Sequence, residues 1–138
     1  MTQYKTPYVV FLFGCLFVAL FFLPDETKMS LLTSPMEIIY LPSFSALGRA
    51  CLSGFMHMEL SHLLSNLCLF ILLGYTVEEK LGHGKTFLLL ICSGLGALAL
   101  HVTYDVTVPI PFLGGSGFVF GLLAAYCKLL GNEKKWLC

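Results

Sequence analysis

Hydrophobic positions gather into four long runs, about 8–23, 60–77, 86–104 and 116–130, parted by stretches rich in charge, proline or glycine. Each run lies near the low end of the ~17 to 25 residues that a helix needs to cross a bilayer, so two or three flanking residues have to be added to each. The pattern predicts an all-α protein, a polytopic bundle of transmembrane helices with four spans in one domain, 1–138. Composition agrees: 57% of the 138 residues are hydrophobic and 12% are charged. A water-soluble domain of this size could hardly hide that much apolar surface in one core.

The connections between the runs differ. Residues 24–56 form a long outer loop with Pro24, Pro35 and Pro42 and the greasy stretch EIIYLPSF. A loop of this length in a compact protein is usually functional or lies on the membrane surface. EEKLGHGK, between the second and third runs, reads as a short polar turn with Gly82 and Gly84 as breakers. DVTVPIPFLGG, before the fourth run, is apolar, and its two prolines forbid a helix through 109–111. Non-helical apolar backbone of this kind is tolerated at membrane depth only when protein or a water-filled cavity covers it.

Charge orients the bundle. Lys5, Lys80, Lys85, Lys128, Lys134 and Lys135 share one side if the spans alternate, leaving Lys28 and Arg49 on the other. The positive-inside rule then predicts an integral, multi-pass membrane protein with both termini cytoplasmic. Lys5 followed by an apolar run also resembles a signal peptide, but FFLPDETK offers no small-residue cleavage site, which favours a retained anchor. Eight basic and eight acidic residues cancel, giving no indication of nucleic-acid binding. Cys15, Cys68, Cys92 and Cys127 fall inside runs, where free thiols pack as small hydrophobes, so no disulfide framework is expected.

Two stretches carry candidate chemistry. HMELSHLLSN opens the second run with His57, His62 and Asn66. On a helix His62 and Asn66 are about 40° apart and share a side, whereas His57 falls at or before the helix start. Such residues in a span either form an interhelical hydrogen bond or line a functional cavity. No carboxylate or cysteine joins the histidines at ligand spacing, so no metal site is expected.

The second stretch is FLGGSGFVFGLLAA, with Ser116 between Gly115 and Gly117. Gly117 and Gly121 form a small-xxx-small pair suited to close helix packing. Ser116 itself falls at a helix start, where unpaired N–H groups and the positive end of the helix dipole would meet a developing oxyanion.

Together these stretches resemble the rhomboid family of intramembrane serine proteases. The resemblance rests on GFMHMELSHLLSN, on Gly74, Glu78 and Gly82 at four-residue spacing, and on Gly114 to Gly117, in family order over 49–126. It implies Ser116 as nucleophile, with His62 and Asn66 stabilising the oxyanion beside the Ser116 N–H. His57 lies near the site with no assigned role. No cofactor is implied. The partners implied are transmembrane protein substrates or clients and the lipid bilayer, with self-association left open.

The resemblance also implies a first loop partly embedded in the membrane. Arg49 matches half of the family's Trp-Arg pair there, and Gly48 stands in place of the tryptophan. The family's general base is a histidine on a sixth span, to which nothing in this sequence corresponds. His83 falls in the inner turn, and His101 lies near the outer end of the third run. The expectation is therefore a chain truncated on its C-terminal side, without the base and inactive alone. A rhomboid-like pseudoprotease that binds transmembrane clients uncut is the alternative, and an unrelated four-helix membrane protein is a third reading.

Overall fold

The computed structural model describes residues 6–104 and 111–134, the last three of these in backbone only. Lys5 and Lys135, used above for orientation, and residues 105–110 of the apolar connection lie outside the described residues. All four apolar runs are helices. They are α1 (Tyr8–Phe21), α5 (Leu60–Leu81), α6 (His83–Tyr104) and α7 (Ser116–Lys134), and three short helices, α2 (Asp25–Leu31), α3 (Pro35–Tyr40) and α4 (Phe44–Ser53), fill the long loop.

Hydrophobicity located the helices, but local backbone chemistry sets their ends. α1 stops at Phe21, three residues before Pro24, whose ring opposes further helix. α5 runs four residues past its apolar stretch, because Glu79, Lys80 and Leu81 are good helix formers, and ends at Gly82 with φ of +81°. α5 and α6 are each long and apolar enough to cross a bilayer. The 14-residue α1 meets the same test only jointly with Asp25–Tyr40, across a 117° bend, and the apolar part of α7, Ser116–Gly131, is shorter.

The core is where the four long helices meet. Val10, Phe13 and Phe17 of α1 face Leu63, Phe70 and Val77 of α5, with Leu90 of α6 and Phe118, Val119 and Leu122 of α7 closing the cluster. The spacings of three, four and seven residues are those of one helix face. Phe13 stacks on Phe70 at 6.3 Å and meets Phe118 edge-on at 5.5 Å. Lipid is as apolar as these side chains, so the helices are held by close packing and buried hydrogen bonds rather than by transfer out of water.

Glycines set the closest approaches. A Cβ on Gly121 would stand 2.4 Å from the Ser93 Cβ, and one on Gly117 would stand 2.5 Å from the Ala97 Cβ. α6 and α7 therefore touch along small residues, and the expected packing role of the Gly117–Gly121 pair is realised. Gly121→Leu should cost about 1–3 kcal/mol by overpacking this seam. Gly131→Leu, where nothing lies within 4 Å of the added carbon, should cost little. Unfolding of both variants in lipid or mild detergent checks the contrast.

The outer loop has its own framework. Ser34 caps α3 and Ser43 caps α4 by accepting from Glu37 N–H and Ala46 N–H. Arg49 on α4 then ties the loop together, its Nε donating to Thr33 Oγ1 at 3.2 Å, Nη1 to Ser45 Oγ at 2.8 Å and Nη2 to the Glu37 carboxylate. Without the tryptophan, the arginine alone reaches three loop partners. α3 and α4 both pack on α6, which leaves Leu41 and Phe44 exposed at their junction.

Candidate functional site

The site forms where three separate segments converge: the connection 53–59, the first turns of α5, and the turn 113–115 ahead of α7. The connection is a tight reversal, with Phe55 N–H bonded to Leu52 O and Met56 N–H to Ser53 O. It buries His57 completely. As expected, His57 precedes α5, which begins at Leu60 after Glu59 as N-cap.

His57 joins all three segments. Its Nε2 lies 3.1 Å from Asn66 Nδ2 and 3.3 Å from the Gly115 N–H, and its Nδ1 lies 3.2 Å from Phe55 O. A backbone N–H can only donate, so Nε2 is the unprotonated nitrogen. Nδ1 therefore carries the proton and donates it to Phe55 O. The same logic orients Asn66, whose amide nitrogen points at His57. Burial pushes the His57 pKa down to about 4; the neighbouring His62 adds to the shift and the Phe55 carbonyl opposes it.

His62 lies on the turn. A Cβ built on Gly114 would stand 2.7 Å from His62 Cε1 and 3.0 Å from Nε2. Gly114 has φ of +97°, a left-handed backbone that ordinary residues resist. Gly115 meets the Phe17 ring in the same way, at 2.6 Å from a built Cβ. Both glycines are needed because aromatic rings occupy the space a side chain would take.

The N–H groups of this turn are assigned in succession. Gly114 N–H donates to Ser53 O at 3.2 Å, and Gly115 N–H donates to His57. Gly115 O then accepts from Phe118 and Val119 N–H and starts α7. Ser116 and Gly117 are the first two helical residues, so their N–H groups have no acceptor within the helix. The half-buried Ser116 thus carries a hydroxyl and a free N–H at the positive end of a helix dipole. That combination suits a nucleophile whose product is an oxyanion.

The structure thus brings His57, His62, Asn66 and the Ser116 turn into one place. The other two histidines lie elsewhere. His83 Nδ1 contacts the Glu78 carboxylate at 2.6 Å at the far end of α5, and the His101 ring packs against Phe112 at 5.5 Å. No cluster of three or more metal-ligating side chains occurs among the described residues. Sequence reasoning did not find Ser53, Phe17 or Phe55 as parts of the site. Their contributions are a carbonyl or a ring brought in from another segment, and no local motif marks such contacts.

At the opposite end, Glu78 has a role that its spacing from Gly74 and Gly82 did not disclose. It is almost completely buried, at 1% exposure. Its Oε1 accepts Val9 N–H at 2.9 Å and its Oε2 accepts Val10 N–H at 2.8 Å. These are orphan donors in the first turn of α1, which has no side-chain cap of its own. Gly74 lets α1 come this close, since a Cβ there would be 2.6 Å from Val10 Cγ2.

No individual characterised protein matches the chain in sequence. The family model described as Rhomboid domain matches residues 44–137, well over half of the chain and including every motif above. With an all-helical membrane bundle in place and Gly114–Gly117 folded onto His57, His62 and Asn66, the chain belongs to the rhomboid family.

Proposed function

We propose that this chain carries the nucleophile and oxyanion half of a serine-type intramembrane endopeptidase acting on transmembrane segments. The observation that carries the reading is the assignment of N–H groups at the turn. Gly114 and Gly115 are both bonded, and Ser116 presents the first unbonded N–H beside its own hydroxyl. Ser116 Oγ attacks a peptide carbonyl of the client, and a neighbouring base takes its proton as the new C–O bond forms. The carbonyl oxygen, now negative, is met by the Ser116 N–H, His62 and the second amide proton of Asn66. Collapse of the tetrahedral intermediate expels the protonated amine, and water later hydrolyses the acyl-serine.

The proton acceptor is not evident among the described residues. His57 Nε2 already accepts from Gly115 and Asn66, His83 is bound at the far end of α5, and no described hydrogen bond joins Ser116 to a histidine. A second reading is a rhomboid-like protein that retains transmembrane clients without cutting them. In either case the charge pattern supports a multi-pass arrangement with both termini cytoplasmic, and the exposed Leu41 and Phe44 suit an outer loop lying in the membrane.

A fluorophosphonate probe applied to the protein in its native membrane separates the two. Labelling at Ser116, lost in Ser116→Ala, is the expected result and requires an activated hydroxyl. Absence of labelling, together with selective retention of helical transmembrane clients, would establish the binding protein instead.

A further inference from the structure

His57 has no part in the chemistry just described, yet it is fully buried at the centre of the site and holds two of its elements with one atom. The Nε2 lone pair receives the Gly115 N–H from one side and the Asn66 amide from the other. Nδ1–H is spent on Phe55 O, so the ring cannot turn over without losing all three bonds. Phe17 stands edge-on to it at 5.3 Å and blocks the remaining face.

We propose that His57 is a positioning residue, an acid-sensitive latch whose unprotonated Nε2 registers the Ser116 turn against Asn66 and withholds the Gly115 N–H from any oxyanion. This rests on the reading of Ser116 as nucleophile for its catalytic meaning, but the latch itself stands on the hydrogen bonds alone. Two consequences follow. The oxyanion donors are restricted to Ser116 N–H, His62 and the free amide proton of Asn66. Protonation of His57 turns the acceptor into a donor that faces two other donors, so the turn and Asn66 are released together.

Among the described residues, the titratable group facing His57 is His62, whose ring centroid is 5.0 Å away. Phe17 from α1, Phe55 from the connection and Gly115 from the turn bring no charge. No negatively charged group in contact therefore stabilises an imidazolium; the Phe55 carbonyl favours it only in part, and burial with His62 nearby lowers the pKa to about 4. The latch is closed at neutral pH and opens as pH falls through that value.

The test is nuclear magnetic resonance on the full chain in lipid nanodiscs, labelled with ¹⁵N-histidine and ¹⁵N-glycine, from pH 7 to 3. At pH 7 the His57 ring is expected to show a protonated Nδ1 and an unprotonated Nε2. Below about pH 4 both nitrogens should carry protons. Protection of the Gly115 amide should then fall roughly tenfold per pH unit beyond its intrinsic acid dependence. The Gly114 amide, bonded to Ser53 O, serves as the internal control and should keep its protection. An Nε2–H tautomer at pH 7, or simultaneous loss of both glycine amides, would overturn the latch. Failure of the protease reading is distinguishable, because it appears as absent fluorophosphonate labelling of Ser116 at neutral pH while the ring and amide signals behave as described.

Discussion

Glu78→Ala is expected to destabilise the bundle by about 3–5 kcal/mol, the largest loss we anticipate from any single side-chain truncation in this chain. The carboxylate is buried and satisfies Val9 N–H, Val10 N–H and His83 Nδ1 together. Its removal leaves two first-turn donors of α1 without a partner, Val10 N–H fully buried and Val9 N–H partly so, since Pro7 offers no side-chain acceptor. The negative charge is also lost from the positive end of the α1 dipole.

Glu78→Gln should be intermediate, because its single carbonyl oxygen can keep one N–H bond but not both. His83→Ala should cost much less, near 1 kcal/mol, because the His83 side chain is 42% exposed and water can replace it at Glu78. Reversible unfolding in mild detergent gives the ranking. A Glu78→Ala loss below about 1 kcal/mol would mean that α1 is held by its apolar face alone, and the trans-capping account would be wrong.

This contact also shows what could and could not be read in advance. The four helices were legible because continuous apolar runs need no partner to be recognised, and their ends moved where backbone chemistry overrode hydropathy, as at Phe21 before Pro24 and at Leu81 before Gly82. His62, Asn66 and Ser116 were singled out because the resemblance carried them as a set, and their catalytic roles remain the proposal made above. The trans-cap was not, since Glu78 and Val10 are 68 residues apart and only the folded approach at Gly74 brings them together.

Glu37 was missed for a related reason. It lies in a loop that hydropathy treats as connection, and its value depends on Arg49 arriving from a different short helix. His57 was located but not understood. Its function depends on a backbone N–H from Gly115, and backbone donors leave no trace in residue identity. What the sequence withheld was thus consistently the partner, not the residue.

Gly114→Ala is expected to lower the rate of Ser116 labelling by the fluorophosphonate by at least about 10²-fold, with a stability loss of only a few kcal/mol. Two effects combine at this position. An alanine at φ of +97° is strained by roughly 1–2 kcal/mol, and its Cβ would enter the His62 ring at 2.7 Å from Cε1. The turn cannot simply move away, because Gly114 N–H is held by Ser53 O and Gly115 N–H by His57. The imidazole therefore has to leave, and the proposed oxyanion pocket loses one of its three donors while α7 and the core behind it are untouched. Gly96→Ala is the matched control, a helical glycine with nothing within 4 Å of the added carbon, and it should label like the parent. Equal labelling by both variants would show that His62 does not need its place on Gly114. A Gly114→Ala protein that labels slowly yet still unfolds cooperatively, with no more than that loss, would tie the effect to the displaced ring rather than to general damage, which makes this substitution a more selective probe of His62 than removing the histidine itself.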